Sequence, residues 1–418
     1  MSRFVVLVLD GFGVGAMEDA AEYRAADANA NTCLHVLEYN PNLQLPNMER
    51  LGLMNIIGQE KNGMLFSDFA TYGKSKLKHY GADTFFGHQE IMGTDPVRGT
   101  LQTFTSVFDK VACALTEKGY QVREYKLGNG AKVMGINDAA LVSDNPANDP
   151  GQVFNVIGLA SVTTFEEILK MSKIIREQVQ VTRVIAHACD EITYKELEGC
   201  IEEHGLGLGS VNPIKLDFYE KNVKIRHLGY GVDETGQTPY LLGKYGVPVT
   251  HLGKFADLVP NPYGQNFSCV DTGELLRLFQ DALKNQTNGL IAANVQETDL
   301  SGHEKDPVKY ARILSMVDEA LGTILKMLGP EDIMVIMADH GNDPTNGTFY
   351  HSREYTPLMV YGEGIPAGNL GVRETMSDVG ATVLDYFQRD KAYKDSGLRE
   401  VKTQNGTSFL DLLRPGLD

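Results

Sequence analysis

Ile333-Met334-Val335-Ile336-Met337-Ala338-Asp339-His340 is an apolar run that stops abruptly on an acid and an imidazole. It has no polar face, which predicts a strand buried on both sides, as in a parallel sheet covered by helices. Phe4 to Leu9 has the same character and stops at Asp10, while Leu290 to Val295 leads into Asp299-Leu300-Ser301-Gly302-His303. In open α/β sheets ligands collect beyond the carboxyl ends of the strands, so residues just past three such ends can converge across long stretches of sequence. Asp10, Asp299, His303, Asp339 and His340 are therefore candidate ligands for two divalent metals, with His351 on the following loop as a sixth.

Working outward, Val247 to Leu252, Thr272 to Leu283, Leu290 to Val295, Pro307 to Leu328 and Ile333 to Ala338 read as strand-then-helix units. Within the fourth, Ile313, Leu314, Val317, Leu321, Ile324, Leu325 and Leu328 fall at helical spacing, and Gly329-Pro330 stops the helix. Pro46 suits the start of a short helix. This alternation predicts an α/β doubly wound sheet. Residues 97 to 235 look less regular, with Gly205-Leu206-Gly207-Leu208-Gly209 and the stretch Asn145 to Gly151 as examples. Candidate ligands occur on both sides of them, so they read as an inserted α/β cap domain, and a discontinuous core comprises 1–96 and 236–418.

A chain of 418 residues can bury a large core and is long enough for two domains. A net charge of −17 and the lack of a basic stripe argue against a nucleic-acid partner. The five cysteines are scattered and form no C-x-x-C pair, which suits reduced thiols in a cytoplasmic protein. The apolar run before Asp10 is too short for a signal peptide, and no segment reaches the length of a membrane span.

Mixed carboxylate and imidazole donors suit a borderline divalent ion such as manganese or zinc. Asp299 and His303 are four apart, and because the apolar strand ends only four residues before Asp299, the spacing predicts a loop rather than a helix there. For Asp339 the plain alternative is a helix N-cap. Two divalent ions set against Asp10, Asp299 and Asp339 leave about one positive charge by formal count, enough to attract a phosphate locally although the whole protein is acidic. Thr84, in Gly81-Ala82-Asp83-Thr84-Phe85-Phe86-Gly87-His88, lies where a polar loop enters a helix. It is either a helix cap or a nucleophile whose hydroxyl a metal activates and whose phosphate the helix amino end stabilises.

Val8-Leu9-Asp10-Gly11-Phe12-Gly13-Val14-Gly15, Asp83-Thr84-Phe85-Phe86-Gly87-His88-Gln89-Glu90-Ile91-Met92-Gly93 and Ala338-Asp339-His340-Gly341-Asn342-Asp343-Pro344 with His351-Ser352-Arg353-Glu354-Tyr355-Thr356-Pro357-Leu358 resemble phosphopentomutases of the alkaline phosphatase superfamily. The resemblance implies an alkaline-phosphatase-like core, one metal held by Asp299, His303 and His351, and another held by Asp10, Asp339, His340 and the Thr84 oxygen. It also implies Thr84 as the residue that carries the phosphate, and Arg183 and Lys254, taken as parts of the insert, as phosphate-holding residues. Asp299 and His303 depart from the family by one residue fewer between aspartate and Gly-His, the spacing of cofactor-independent phosphoglycerate mutases. Phe86 and Gln89 replace the usual threonine and tryptophan, and the Ser-Ala-Asp segment that orients the sugar has no clear counterpart.

The expected activity is an isomerase that moves a phosphoryl group between the 1 and 5 positions of a pentose phosphate, with two Mn2+ ions and a sugar bisphosphate activator. A mutase for another phosphosugar, a metal-dependent phosphatase and a non-catalytic metal-binding protein are the alternatives.

Overall fold

The structure is a computed structural model that describes residues 2–146, 151–212, 216 and 223–416. The chain forms two units, unit 1 from Met1–Pro96 and Asp233–Asp418, and unit 2 from Val97–Val232. Unit 1 opens with β1 (Arg3–Leu9) and β2 (Thr71–Ser75). Unit 2 holds β3 (Val122–Lys126), β4 (Lys132–Ile136), β5 (Ala140–Asp144), β6 (Val153–Leu159), β7 (Arg183–Cys189), β8 (Ile201–His204), β9 (Leu208–Val211) and β10 (Lys224–Gly229). The chain returns to unit 1 for β11 (Val249–Gly253), β12 (Gln265–Phe267), β13 (Gly289–Val295), β14 (Ile333–Met337), β15 (Thr356–Tyr361) and β16 (Gly368–Arg373).

Unit 1 is built on an eight-stranded sheet in the order β12-β11-β13-β1-β14-β15-β2-β16. β1 runs parallel to β13 and β14, and β11 runs parallel to β12 and β13. β15 is reversed between β14 and β2, a strand direction that the apolar runs do not encode. Every residue of β1, β13 and β14 is buried, which is why those segments read as unbroken apolar runs. The helix Pro307–Ile324 starts where Asp306 accepts hydrogen bonds from the N–H groups of Val308 and Lys309. It buries Ile313, Leu314, Val317, Leu321 and Ile324, each contributing about 1.5–3 kcal/mol when fully removed from water. The helix stops at Ile324, before the Leu328 that the spacing predicts, and a tighter turn covers Leu325–Met327. Thr272–Asn285, expected within a strand-then-helix unit, is helical throughout and buries Leu275, Leu276, Phe279 and Leu283.

The insert is an α/β unit, as expected, and it is more regular than its sequence suggests. Its sheet has the order β10-β7-β6-β5-β4-β3, with β6 and β7 parallel and the other pairs antiparallel. Helices Phe104–Glu117 and Phe165–Gln178 contribute Phe104, Val107, Phe108, Val111, Ile168 and Met171 to its core. The glycines at 205–209 turn one short hairpin between β8 and β9. In the stretch Asn145 to Gly151, residues 147–150 lie outside the described residues. Among the described residues no helix is long and apolar enough to cross a membrane.

Candidate metal centre

β11, β13, β1 and β14 lie side by side and point the same way, with Gly253 beside Asn294, Asn294 beside Val8, and Val8 beside Met337. Their carboxyl ends form one row, and Lys254, Asp299, Asp10 and Asp339 follow those ends. The loop predicted at Asp299 is a helix, Glu297–His303. Strand passes to helix at the single residue Gln296, and Thr298 Oγ1 pins the turn on the carbonyls of Asp10 (2.7 Å) and Val295 (2.9 Å). Helical spacing then brings His303 Nε2 to 3.4 Å from Asp299 Oδ2.

His351 Nε2 lies 3.3 Å from Asp299 Oδ1 and 3.0 Å from His303 Nε2. Beside them, His340 Nε2 is 3.1 Å from Asp339 Oδ2 and 3.6 Å from Asp10 Oδ1. Asp299, His340 and His351 form one group able to hold a metal, and Asp10, Asp339 and His340 form another. The fold therefore gathers Asp10, Asp299, His303, Asp339, His340 and His351 in one place.

The outer nitrogens of the imidazoles are already engaged. Nδ1 of His303 donates to the carbonyl of Phe349 (2.6 Å), that of His351 to Ala82 (2.8 Å) and that of His340 to Gly341 (3.0 Å). Carbonyls only accept, so these nitrogens carry hydrogens, and each Nε2 faces inward, where it can hold a proton or a metal ion. The Nε2 atoms of His303 and His351, 3.0 Å apart, need a proton or a metal ion between them. Asp10 Oδ1 and His340 Nε2 are buried without hydrogen-bond partners. Oxygen and imidazole donors with these defects fit divalent metal ions.

Helix Thr84–Ile91 begins at the same edge of the sheet. Asp83 is the cap, accepting from the Phe86 N–H at 3.0 Å, so the capping alternative for Thr84 falls away. The Thr84 hydroxyl donates to Asp339 Oδ2 (2.7 Å) and accepts from Lys254 Nζ (3.2 Å). A Cβ on Gly87 would come within 2.6 Å of the Asp339 carbonyl oxygen and 2.9 Å of its Cβ, so only glycine allows the helix this close.

Lys254 corrects the sequence reading, for it belongs to unit 1 and opens the helix Lys254–Leu258 after β11. Its Nζ is 2.6 Å from Asp10 Oδ2 and 3.5 Å from Asp299 Oδ2. Only the pairing of β11 with β13 brings it there. Arg183 is buried at the start of β7 in unit 2.

Other contributors to the site escaped sequence reasoning. Asn342 donates to Asp299 Oδ1 at 2.8 Å, and Asn294 donates to Asp10 Oδ2 at 2.8 Å. His88, whose role the sequence leaves open, is fully buried, with Nδ1 2.9 Å from the Thr84 carbonyl and 3.2 Å from Asp339 Oδ2. Arg353 ties the loop before Thr84 by donating to the carbonyls of Leu77, His79 and Gly81 and by pairing with Asp19. Their signal in the sequence is a polar residue inside a strand (Asn294) or two positions from a candidate ligand (Asn342, Arg353).

Burial and the neighbouring Asp339 carboxylate push Asp10 up to about 6. Burial would also raise Asp299 and Asp339, yet His351 and Lys254 hold Asp299, and His340 and His88 hold Asp339, well below the usual carboxylate range. Burial should lower His340, but the adjacent Asp339 carboxylate carries it up to about 10. Lys254 is likewise raised against its burial by Asp10, Asp299 and Asp339. Protons and one ammonium thus balance a concentrated negative charge, and metal ions binding there displace protons.

The family model of the metalloenzyme superfamily matches residues 2–391. Over 426 residues the chain is 30% identical to a phosphopentomutase of Symbiobacterium thermophilum, covering 99% of this chain and 98% of that one. Over 431 residues it is 34% identical to a phosphopentomutase of Herpetosiphon aurantiacus, covering 99% of this chain and 100% of that one. A phosphoglycerate mutase structure from Leishmania mexicana aligns with a TM-score of 0.42 at 11% identity, covering 92% of this chain and 94% of that one.

Proposed function

The chain belongs to the metalloenzyme superfamily and, within it, to the phosphopentomutases, isomerases that act as intramolecular phosphotransferases, and on that premise we propose that it moves a phosphoryl group between the 1 and 5 positions of a pentose phosphate through a phosphothreonine at Thr84. Thr84 carries this reading. Its hydroxyl touches Asp339 and Lys254, next to the buried carboxylates and imidazoles, at the amino end of an eight-residue helix.

In this reading Asp299, His303 and His351 hold one ion, and Asp10, Asp339, His340 and the Thr84 oxygen hold the other, with Mn2+ as the metal. Bound divalent ions supply Lewis-acid stabilisation of the charge that develops on the transferring phosphoryl oxygens. Asp339 orients the Thr84 hydroxyl and takes up its hydrogen bond, and the Lys254 ammonium faces the same oxygen. Once phosphate is attached, the N–H groups of the first helical turn and Lys254 stabilise its charge. Together the ions and Lys254 exceed the three carboxylates by about two formal charges, which favours a phosphate in an otherwise acidic protein.

Transfer back to the sugar requires that water be kept from the phosphothreonine, and unit 2 is assigned that task as a cap. Arg183 in unit 2 is assigned to the second phosphate, and a sugar bisphosphate to priming the enzyme. Free thiols at Cys33, Cys113, Cys189, Cys200 and Cys269 support a cytoplasmic location.

Phosphorus NMR of ribose 1-phosphate with the manganese-loaded protein and a trace of sugar bisphosphate tests the proposal. Ribose 5-phosphate should appear with the wild type and not with Thr84→Val. Release of inorganic phosphate alone would make the protein a phosphatase, and conversion by Thr84→Val would remove the nucleophile.

A further inference from the structure

Resting on the two-ion reading above, we infer that His88 and Asn294 form a strap that positions the ligands of one ion, the one assigned to Asp10, Asp339, His340 and Thr84, and does not serve the other. The strap is a continuous chain of short contacts. His88 Nδ1 donates to the Thr84 carbonyl oxygen at 2.9 Å and lies 3.2 Å from Asp339 Oδ2. On the other side of the ring, His88 Nε2 meets Asn294 Oδ1 at 3.0 Å, and Asn294 Nδ2 donates to Asp10 Oδ2 at 2.8 Å. One imidazole and one amide thereby join the nucleophile's backbone to both carboxylates of a single ion.

Both residues occupy positions where a polar group needs a reason. His88 and Asn294 are each 0% exposed, and Asn294 interrupts the apolar β13 between Ala293 and Val295. Buried polar groups of this kind are found where hydrogen bonds satisfy them, and His88 Nδ1 and Asn294 Nδ2 each have an acceptor. Phe255 packs edge-on against the His88 ring, centroid to centroid 4.8 Å, and holds its plane.

The contacts also decide which oxygen each carboxylate presents. Asn294 and Lys254 occupy Asp10 Oδ2, which leaves Oδ1, without a hydrogen-bond partner, facing His340. Asp339 Oδ1 accepts from the Gly11 N–H at 3.2 Å, so Oδ2 is the oxygen turned to Thr84 and His340. Without the strap, Asp10 Oδ2 keeps only Lys254 and Thr84 loses a restraint on its helical turn. The other ion's ligands rely on different partners: Asn342 on Asp299, and backbone carbonyls on His303 and His351. His88 and Asn294 are positioning residues, since they act through Thr84, Asp10 and Asp339.

Manganese binding to the full chain tests this without reference to turnover. Calorimetric titration with Mn2+ alone gives the number and affinity of ions, and electron paramagnetic resonance separates a coupled pair from an isolated ion. His88→Gln keeps a donor near the Nε2 position and loses the Thr84 and Asp339 contacts, while Asn294→Ala loses the link to Asp10. Each should weaken one ion by roughly 10–100-fold and the other by less than about threefold, and the coupled signal should give way to the six-line spectrum of a single ion. The ion that remains shows that the variant is folded, and adding His303→Ala to His88→Gln should abolish it. Equal weakening of both ions, no weakening of either, or a tight ion persisting in the double variant would overturn the strap. A wild type that binds fewer than two ions would instead overturn the two-ion reading on which the strap rests.

Discussion

Replacing Lys254 with methionine keeps all but the last atom of the side chain's length and removes its charge, and the structure predicts an effect that depends on metal. Without metal, Nζ sits 2.6 Å from Asp10 Oδ2 and 3.5 Å from Asp299 Oδ2 among buried groups. At an effective dielectric of 20 those contacts amount to about 6 and 5 kcal/mol of Coulomb attraction. The carboxylates recover part of this by binding protons, and breaking a buried pair usually costs about 3–5 kcal/mol. At about 2–4 °C per kcal/mol, the transition of unit 1 should fall by about 6–20 °C in the presence of a chelator. With Mn2+ saturating, the ions replace the ammonium as counter-charge, and only the hydrogen-bond contribution of about 1–2 kcal/mol should be lost. Scanning calorimetry of wild type and Lys254→Met, each with chelator and with Mn2+, measures both. An equal drop in the two conditions, or none in chelator, would falsify the idea that Lys254 balances the charge that the ions otherwise balance.

Gly87→Ala sets helix propensity, worth about 1 kcal/mol in favour of alanine, against a Cβ placed 2.6 Å from the Asp339 carbonyl oxygen. The clash should win, lowering kcat by about 100-fold and stability by about 1–3 kcal/mol, and a stabilised variant of normal kcat would show that the helix has room. Arg353→Lys cannot reproduce the forked contacts to Asp19 and to the carbonyls of Leu77, His79 and Gly81. It should cost about 2–4 kcal/mol in urea unfolding and speed amide exchange across residues 77–83, and unchanged exchange would remove Arg353 from the support of Thr84. The hydrogen bond to Asp343 raises His35 above 6.5, and the His35 partner holds Asp343 below 3.8 against its burial. The pair's stabilisation should therefore be intact near pH 5–6, fade as pH rises through the raised value of His35, and fade as pH falls through the lowered value of Asp343. His35→Gln should flatten the stability profile on the alkaline side, and an unchanged slope above pH 6.5 would rule the pair out as its source.

What was legible in the sequence were features that local chemistry controls. Apolar runs with no polar face identify β1, β13 and β14, and an acid within two residues of the ends of β1 and β14 identifies the edge of the sheet where Asp10 and Asp339 stand. The polar entry into helix Thr84–Ile91 was equally visible, although which residue caps it was not.

Tertiary structure decided the rest. Strand pairing and register bring Lys254 to Asp10 and Asn294 to His88 across 200 or more residues of chain, and no local propensity records such a contact. The strands of unit 2 and their order were not legible within the expected α/β cap for the same reason: short strands are stabilised by pairing and by the helices packed on them. Composition and pattern alone determined that this protein would be an α/β chain with acids and imidazoles at its strand ends. Only the fold determined which oxygen or nitrogen of each faces inward, because that choice is made by hydrogen bonds from partners distant in sequence.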